Sequence, residues 1–357
     1  MSRKIILFGP YAPPAGGVAT FMKNLYENIQ GKNVELWAVS DNVQKGNNVY
    51  NVKGLLDYFK LIIFNAKNSN IVDSWITYFE YPSTKKRSIL SIFALNLLKK
   101  INGFVWIKVI HDGSLPKRYD NFSKTQKVIF SLAARSVDKY IVMNEGLKEW
   151  LNEKEGIIED KITVINSLLP TIVSNKSNTN KRFIDFISKY DKIICTIGAF
   201  VDDYGIKDVV HAANAVKSRT DINLGIIIIN SAFDEDSDYK REITTNHQNI
   251  LVVENAQSEE VNYILTNSDI FVRGVKNESL GLSRIEAILC GTPVIATNVG
   301  ETRGMTTYCF GDVIGLSNKI EEALLNPGVV QIEWQEVYKT EAYQNLSAIK
   351  KYIGLDI

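Results

Sequence analysis

Two glutamates eight positions apart frame the most distinctive stretch of this chain. Asn277-Glu278-Ser279-Leu280-Gly281-Leu282-Ser283-Arg284-Ile285-Glu286-Ala287 runs on to Cys290-Gly291-Thr292-Pro293-Val294-Ile295-Ala296-Thr297. Paired carboxylates suggest acid/base chemistry, but the spacing argues against it. Along a helix, eight residues rise about 12 Å, too far to share one scissile bond. The pair suits an extended ligand gripped at two ends. A glycine-containing turn that opens a helix leaves the N–H groups of Leu280, Gly281 and Leu282 without helical acceptors, and a phosphate would satisfy them. The residues alone therefore suggest a sugar, a diphosphate and a ribose laid along one loop and helix. A surface Glu beside an amphipathic helix is the other reading.

Two further places have chemical potential. Gly9-Pro10-Tyr11-Ala12-Pro13-Pro14-Ala15-Gly16-Gly17-Val18 follows an apolar run and opens a helix. Gly16 and Gly17 there let backbone approach a ligand and offer N–H groups to a phosphate, a plain turn being the alternative. His111-Asp112-Gly113 directly follows the apolar run Val105–Ile110. Residues just past a strand's C-terminal end line the ligand crevice of doubly wound sheets, which makes His111 a candidate. His211 lies within a helical stretch and His247 in a polar loop, and neither attracts a role.

The elements that must hold these residues alternate between strand and helix. Lys4–Phe8, Val34–Val39, Ile71–Ile76, Val105–Ile110, Tyr140–Met143 and Ile162–Ile165 read as short buried strands, with helices such as Ala19–Ile29 and Phe122–Ala134 between them. A polar run after Pro170 reads as a linker. Alternation then restarts with strands at Lys192–Ile197, Leu224–Ile229, Ile250–Val253, Ile270–Val272 and Val294–Thr297. The helix near Leu282–Cys290 is stopped by Gly291 and Pro293. A last helix, Tyr338–Tyr352, places Tyr343, Leu346, Ile349 and Ile353 at helical spacing. At 357 residues the chain suits two α/β domains with a ligand-binding cleft: 1–168, a linker 169–182, 183–330, and a helix 331–357 returning to the first.

With its Ala-x3-Gly-Thr-Pro-Val-Ile-Ala continuation, the Glu278–Thr297 string resembles the E-x7-E donor signature of the large retaining glycosyltransferase family with the GT-B fold. That family includes sucrose and glycogen synthases and many bacterial polysaccharide enzymes. The resemblance implies an α/β fold of two Rossmann-like doubly wound domains facing across a cleft, and metal-independent transfer from a UDP- or GDP-sugar without a cofactor. It places Glu278 at the donor sugar, Glu286 at the ribose, His111 beside the transferred sugar, and Gly16 and Gly17 at the N-terminal glycine loop. It further implies a hexosyltransferase of surface polysaccharide or glycoconjugate assembly, with a saccharide or lipid-linked saccharide acceptor. The family's usual phosphate cations are absent. In Gly198-Ala199-Phe200-Val201-Asp202-Asp203-Tyr204-Gly205, Ala199 or Phe200 stands for the Arg and Tyr204 for the Lys. Lys207 and Arg273 are the nearest replacements and Arg284 a third, because a diphosphate leaving group needs its charge stabilised. The loop after Leu224–Ile229 is acidic where relatives carry glycines, so the base would meet the Val252–Asn255 turn.

Charge adds a partner. Residues 1–175 hold 23 Lys and Arg against 15 Asp and Glu, whereas the remainder holds 18 against 25. A basic first half suggests an anionic surface, and in the absence of any nucleic-acid motif we expect phospholipid or a lipid phosphate. Lys85–Lys100, an apolar run flanked by cations, reads either as a helix at a membrane surface or as a buried helix with solvated ends. No apolar run is long enough to span a bilayer and none resembles a secretory signal. Cys195, Cys290 and Cys309 lack CxxC spacing and suggest reduced thiols. The expected location is cytoplasmic, peripheral at the inner face of the plasma membrane. Two other classes compete: a degenerate transferase acting as a non-catalytic partner subunit, and an NAD-dependent dehydrogenase. The second is opposed by the lack of a G-x-G-x-x-G turn.

Overall fold

Each apolar run that becomes a strand pairs in parallel with its neighbours, because the chain returns through a crossover every time. The computed structural model describes residues 3–12, 17–39, 48–75, 82, 86–171, 181–230, 237–245, 247–278, 280–326 and 332–355. The first sheet contains β1 (Lys4–Gly9), β2 (Val34–Ala38), β3 (Val49–Asn51), β4 (Ser69–Asp73), β5 (Val105–Ile110), β6 (Lys139–Val142) and β7 (Ile162–Val164). Their order is β3-β2-β1-β4-β5-β6-β7. The second contains β8 (Lys192–Gly198), β9 (Leu224–Asn230), β10 (Ile250–Glu254), β11 (Ile270–Arg273), β12 (Val294–Thr297) and β13 (Thr306–Tyr308), in the order β10-β9-β8-β11-β12-β13.

Continuous apolarity in these strands follows from cover on both faces. Ile5 and Leu7 of β1 pack with Phe21, Met22 and Leu25 of helix Gly17–Ile29 and with Leu346, Ile349 and Ile353 of the last helix. Ile6 and Phe8, pointing the other way, join Tyr58, Ile62, Ile92, Leu95 and Phe130 on helices of the opposite layer. In the second sheet, Ile226 and Ile228 of β9 pack with Val209 and Val216 of helix Ile206–Arg219 and with Leu316 and Ile320 of helix Val313–Leu325.

The chain divides into two compact units, Met1–Ile172 with Ala342–Ile357, and Val173–Glu341. The last helix, Ile332–Ile353, therefore contributes its first half to the second unit, where Tyr338 donates a 2.9 Å hydrogen bond to the Arg303 carbonyl. Only its residues from Ala342 onward belong to the first unit. Its buried stripe is Ala342, Leu346, Ile349 and Ile353, and Tyr343, about 100° further round the helix, points to solvent instead. Other boundaries also shift. β4 begins at Ser69 and ends at Asp73, and the expected strand end at Ile76 falls outside the described residues. The helix expected from Phe122 starts at Lys124, where Ser123 and Gln126 form a capping box. Most of the linker and of the acidic loop after Asn230 also lie outside the described residues. Cys195 is buried, whereas Cys309 is exposed.

Candidate active site

In the second unit, β11 delivers Arg273 to the rim of the sheet. Its guanidinium binds Glu278 Oε2 through Nη2 at 2.9 Å and Nε at 3.2 Å, donates to the Ile197 carbonyl at the end of β8, and lies 5.1 Å over the Tyr204 ring. The two side chains retain only 12% and 17% exposure. Arg273 thus fixes the Glu278 carboxylate, and among the described residues no hydrogen bond reaches Glu278 Oε1.

The following turn is glycine by necessity. Gly281 has φ +67° and caps helix Leu282–Leu289; a Cβ there would sit 3.0 Å from Arg284 Cδ and 3.1 Å from Glu278 Cγ. Among the described residues the amides of Gly281 and Leu282 have no backbone acceptor, and Arg284 N–H is bonded to the Gly281 carbonyl at 2.9 Å. Leu280 precedes this cap. A helix start of this kind, with unspent donors, suits an anion.

Two side chains of that helix have opposite fates. Arg284 is fully buried, and its terminal nitrogens donate to Val299 O at 2.5 Å, Glu301 O at 3.2 Å and Thr297 Oγ1 at 3.3 Å. It braces the loop after β12, so it is committed to protein acceptors rather than to a phosphate. Burial lowers its pKa to about 10. Glu286 lies one turn beyond Leu282. Among the described residues nothing hydrogen-bonds its carboxylate, and burial pushes its pKa upward. The side chain is only partly buried, so a hydroxyl-bearing ligand can reach the unpaired carboxylate and satisfy it.

Lys207, in the first turn of helix Ile206–Arg219, is paired instead with Glu242 at 2.5 Å, and that pairing raises its pKa. Among the described residues no hydrogen bond or ion pair joins it to Arg273 or Glu278. The start of helix Ile206–Arg219 lies against the end of β11 through a close backbone approach: its cap Gly205, at φ +56°, has the Gly274 carbonyl oxygen where a Cβ would be.

In the first unit, His111 follows β5, with its ring edge-on to Phe21 at 4.8 Å and its Nε2 3.3 Å from Ser74 Oγ. Burial, and secondarily the charge of Lys108, lower its pKa to about 3, so it is neutral at physiological pH. Asp112 does not orient the imidazole; it accepts from Ser114 N and Oγ at 2.7 Å each and pairs with Arg118. Below this rim lies an ion pair that the apolar pattern of β5 conceals. Lys108 Nζ is 3.4 Å from Asp73 Oδ1 and donates to the Trp75 carbonyl. Trp106 Nε1 donates to Asp73 Oδ2 at 2.9 Å. Gly17 opens helix Gly17–Ile29, while Gly16 lies outside the described residues. No group of three His, Cys, Asp or Glu side chains among the described residues is arranged to hold a metal ion.

Residues 177–308 match the family model of glycosyl transferases group 1. That span includes Arg273, Glu278, Gly281 and Glu286 but covers little more than a third of the chain. No curated protein matches in sequence. Among solved structures, HepE of Anabaena in complex with UDP-glucose is similar over 98% of both chains, with 14% identity and a TM-score of 0.66. WaaG, a glycosyltransferase involved in lipopolysaccharide biosynthesis, is similar over 98% of this chain and 99% of its own, with 12% identity and a TM-score of 0.65. The N-terminal domain of a trehalose-6-phosphate phosphatase from Candida albicans gives 10% identity and 0.64 over 98% and 94%. The fold is therefore the two-domain α/β fold of GT-B glycosyltransferases, and a fold alone does not dictate the chemistry.

Proposed function

We propose that the chain is a retaining hexosyltransferase that moves a sugar from a UDP- or GDP-sugar to an acceptor hydroxyl. The observation that carries this reading is that the glycosyl transferases group 1 match falls on a built ligand cradle: a fixed Glu278, a glycine-capped helix start and a partly buried Glu286 that no side chain pairs among the described residues. Glu286 accepts from the ribose diol. Glu278 accepts sugar hydroxyls at Oε1 while Arg273 holds Oε2. The amides around Leu280, Gly281 and Leu282 receive the diphosphate. Arg273 and Lys207 supply the positive charge that the leaving group needs, in place of a metal. In the first unit, neutral His111 serves as a hydrogen-bonding partner of the reacting sugar, with Gly16 and Gly17 at the phosphate-facing loop.

The acceptor in this proposal is a saccharide or lipid-linked saccharide of surface polysaccharide assembly, met at the inner face of the plasma membrane. The basic first half supports that setting. Nucleotide release from a panel of UDP- and GDP-sugars with saccharide acceptors tests the activity, and proton NMR of the product tests retention at the anomeric carbon. Nucleotide binding without release in the presence of any acceptor would favour the non-catalytic partner subunit.

A further inference from the structure

We infer that the outer faces of three neighbouring helices in the first unit form a surface that docks on an anionic lipid bilayer. The inference deepens the membrane part of the proposal above but does not depend on the donor site, which lies in the other unit. Helix Lys86–Asn102 packs beside both Leu55–Asn65 and Lys124–Ser136. Their inner sides supply Ile62, Ile92, Leu95 and Phe130 to the core.

The outer sides are apolar as well. Leu90, Phe93, Leu97 and Ile101 recur at helical spacing along one stripe and are 59 to 68% exposed. On the neighbouring helix Leu56 and Phe64 reach 78% and 79%, with Ile63 between them. Of the 17 large apolar side chains exposed among the described residues, ten lie on these three helices. Scattered surface hydrophobes need no explanation, but such a concentration on adjoining elements marks an interaction face.

Charge selects the partner. The three helices carry eight Lys and Arg against a single acidic residue, Asp57, and of these cations Lys99 is paired with Asp138 at 2.6 Å. Lys60 lies on the same outer face as Leu56, Ile63 and Phe64. Apolar tips interleaved with long cationic stems fit an anionic headgroup layer over hydrocarbon: the tips enter the acyl boundary while the ammonium groups stay among the phosphates. Among the described residues no helix is long and apolar enough to cross a membrane, so contact would be confined to one leaflet's surface. The sequence pointed only to Lys85–Lys100; helix Leu55–Asn65 contributes the most exposed apolar side chains, and Lys85 lies outside the described residues.

Flotation of the full chain with vesicles of phosphatidylglycerol and phosphatidylcholine, against phosphatidylcholine alone, tests the surface. Binding is expected only with the anionic vesicles, and it should fall as salt is added. Phe64→Ser with Phe93→Ser should lower partitioning by about tenfold or more at unchanged melting temperature, because it removes apolar area that the bilayer buries. Lys60→Ser with Lys100→Ser should weaken binding and reduce its salt dependence. Protein that stays with the soluble fraction at low salt, or variants that float like the parent, would overturn the inference. So would a dimer in solution that the double Phe variant dissociates without any effect on flotation. Nucleotide binding measured on the same variants should be unchanged; its absence in the parent would defeat the transferase proposal and leave this surface standing.

Discussion

Lys108→Met isolates the buried ion pair beneath the His111 rim. The Lys108 and Asp73 side chains are 2% and 6% exposed, so the substitution leaves Asp73 in the interior with two indole-bearing residues as donors and no cation. Removing one partner of such a pair costs about 3–5 kcal/mol. The penalty must depend on pH. Burial already raises the Asp73 pKa in the parent, and Lys108 is the largest influence holding it down. Without Lys108 the folded-state value climbs further above the unfolded one. Between those two values the folded protein holds a proton that the unfolded chain has lost, so stability falls as pH rises. Urea unfolding at several pH values should therefore show a small deficit near pH ~4 that grows toward neutrality. Asp73→Asn on the Lys108→Met background should recover about 1–3 kcal/mol and remove the slope. In NMR titration, the His111 pKa should rise above its value of about 3 in Lys108→Met yet remain below the usual imidazole value, because burial is the larger cause. A deficit below about 1 kcal/mol at neutral pH, or one that does not vary with pH, would refute this description of the pair.

Other expectations follow from the second unit. Gly205→Ala places a Cβ on the Gly274 carbonyl in a left-handed backbone conformation, and thermal denaturation should report a loss of more than about 1 kcal/mol. Arg273→Ala and Lys207→Ala separate the two candidate phosphate cations by turnover; if both variants keep parental rates, neither side chain stabilises the leaving group. Arg284→Met should destabilise the loop after β12 without changing nucleotide affinity in proportion, since its contacts are to Val299, Glu301 and Thr297. Nucleotide affinity that falls far more than stability would return Arg284 to the site.

Most of the fold was legible because parallel strands covered on both faces are nearly continuous apolar runs. β3 and β13, three residues each at sheet edges, carry too little pattern to stand out. The donor segment was legible because it combines rare requirements, a left-handed glycine between two carboxylates at fixed spacing, in one contiguous string. Partnerships between distant elements were not. Arg273 and Glu278 are close in sequence, but nothing in their types says that they bond each other and the β8 carbonyl. Arg284 reads as an ordinary helical Arg until the loop after β12 folds over it. Lys108 is hidden because a single cation in VWIKVI looks like an outward-facing residue on an edge strand, and its partner lies on another strand. The three-helix apolar surface was only partly visible, since each helix alone looks like a core helix and only their outward faces together distinguish them.

The central claim is that the second unit binds a nucleoside diphosphate through Glu286, and calorimetry of UDP and GDP with the parent and Glu286→Gln tests it most directly. Loss of the carboxylate's hydrogen bonds to a ribose diol should cost about 1.5–3 kcal/mol, or roughly tenfold or more in Kd. Because desolvation holds the Glu286 pKa above its usual value and nothing pairs it among the described residues, the Gln variant should be at least as stable as the parent at neutral pH. Weaker nucleotide binding in a protein that is no less stable would support the account. An unchanged Kd, or a parent that binds NAD but neither UDP nor GDP, would contradict it.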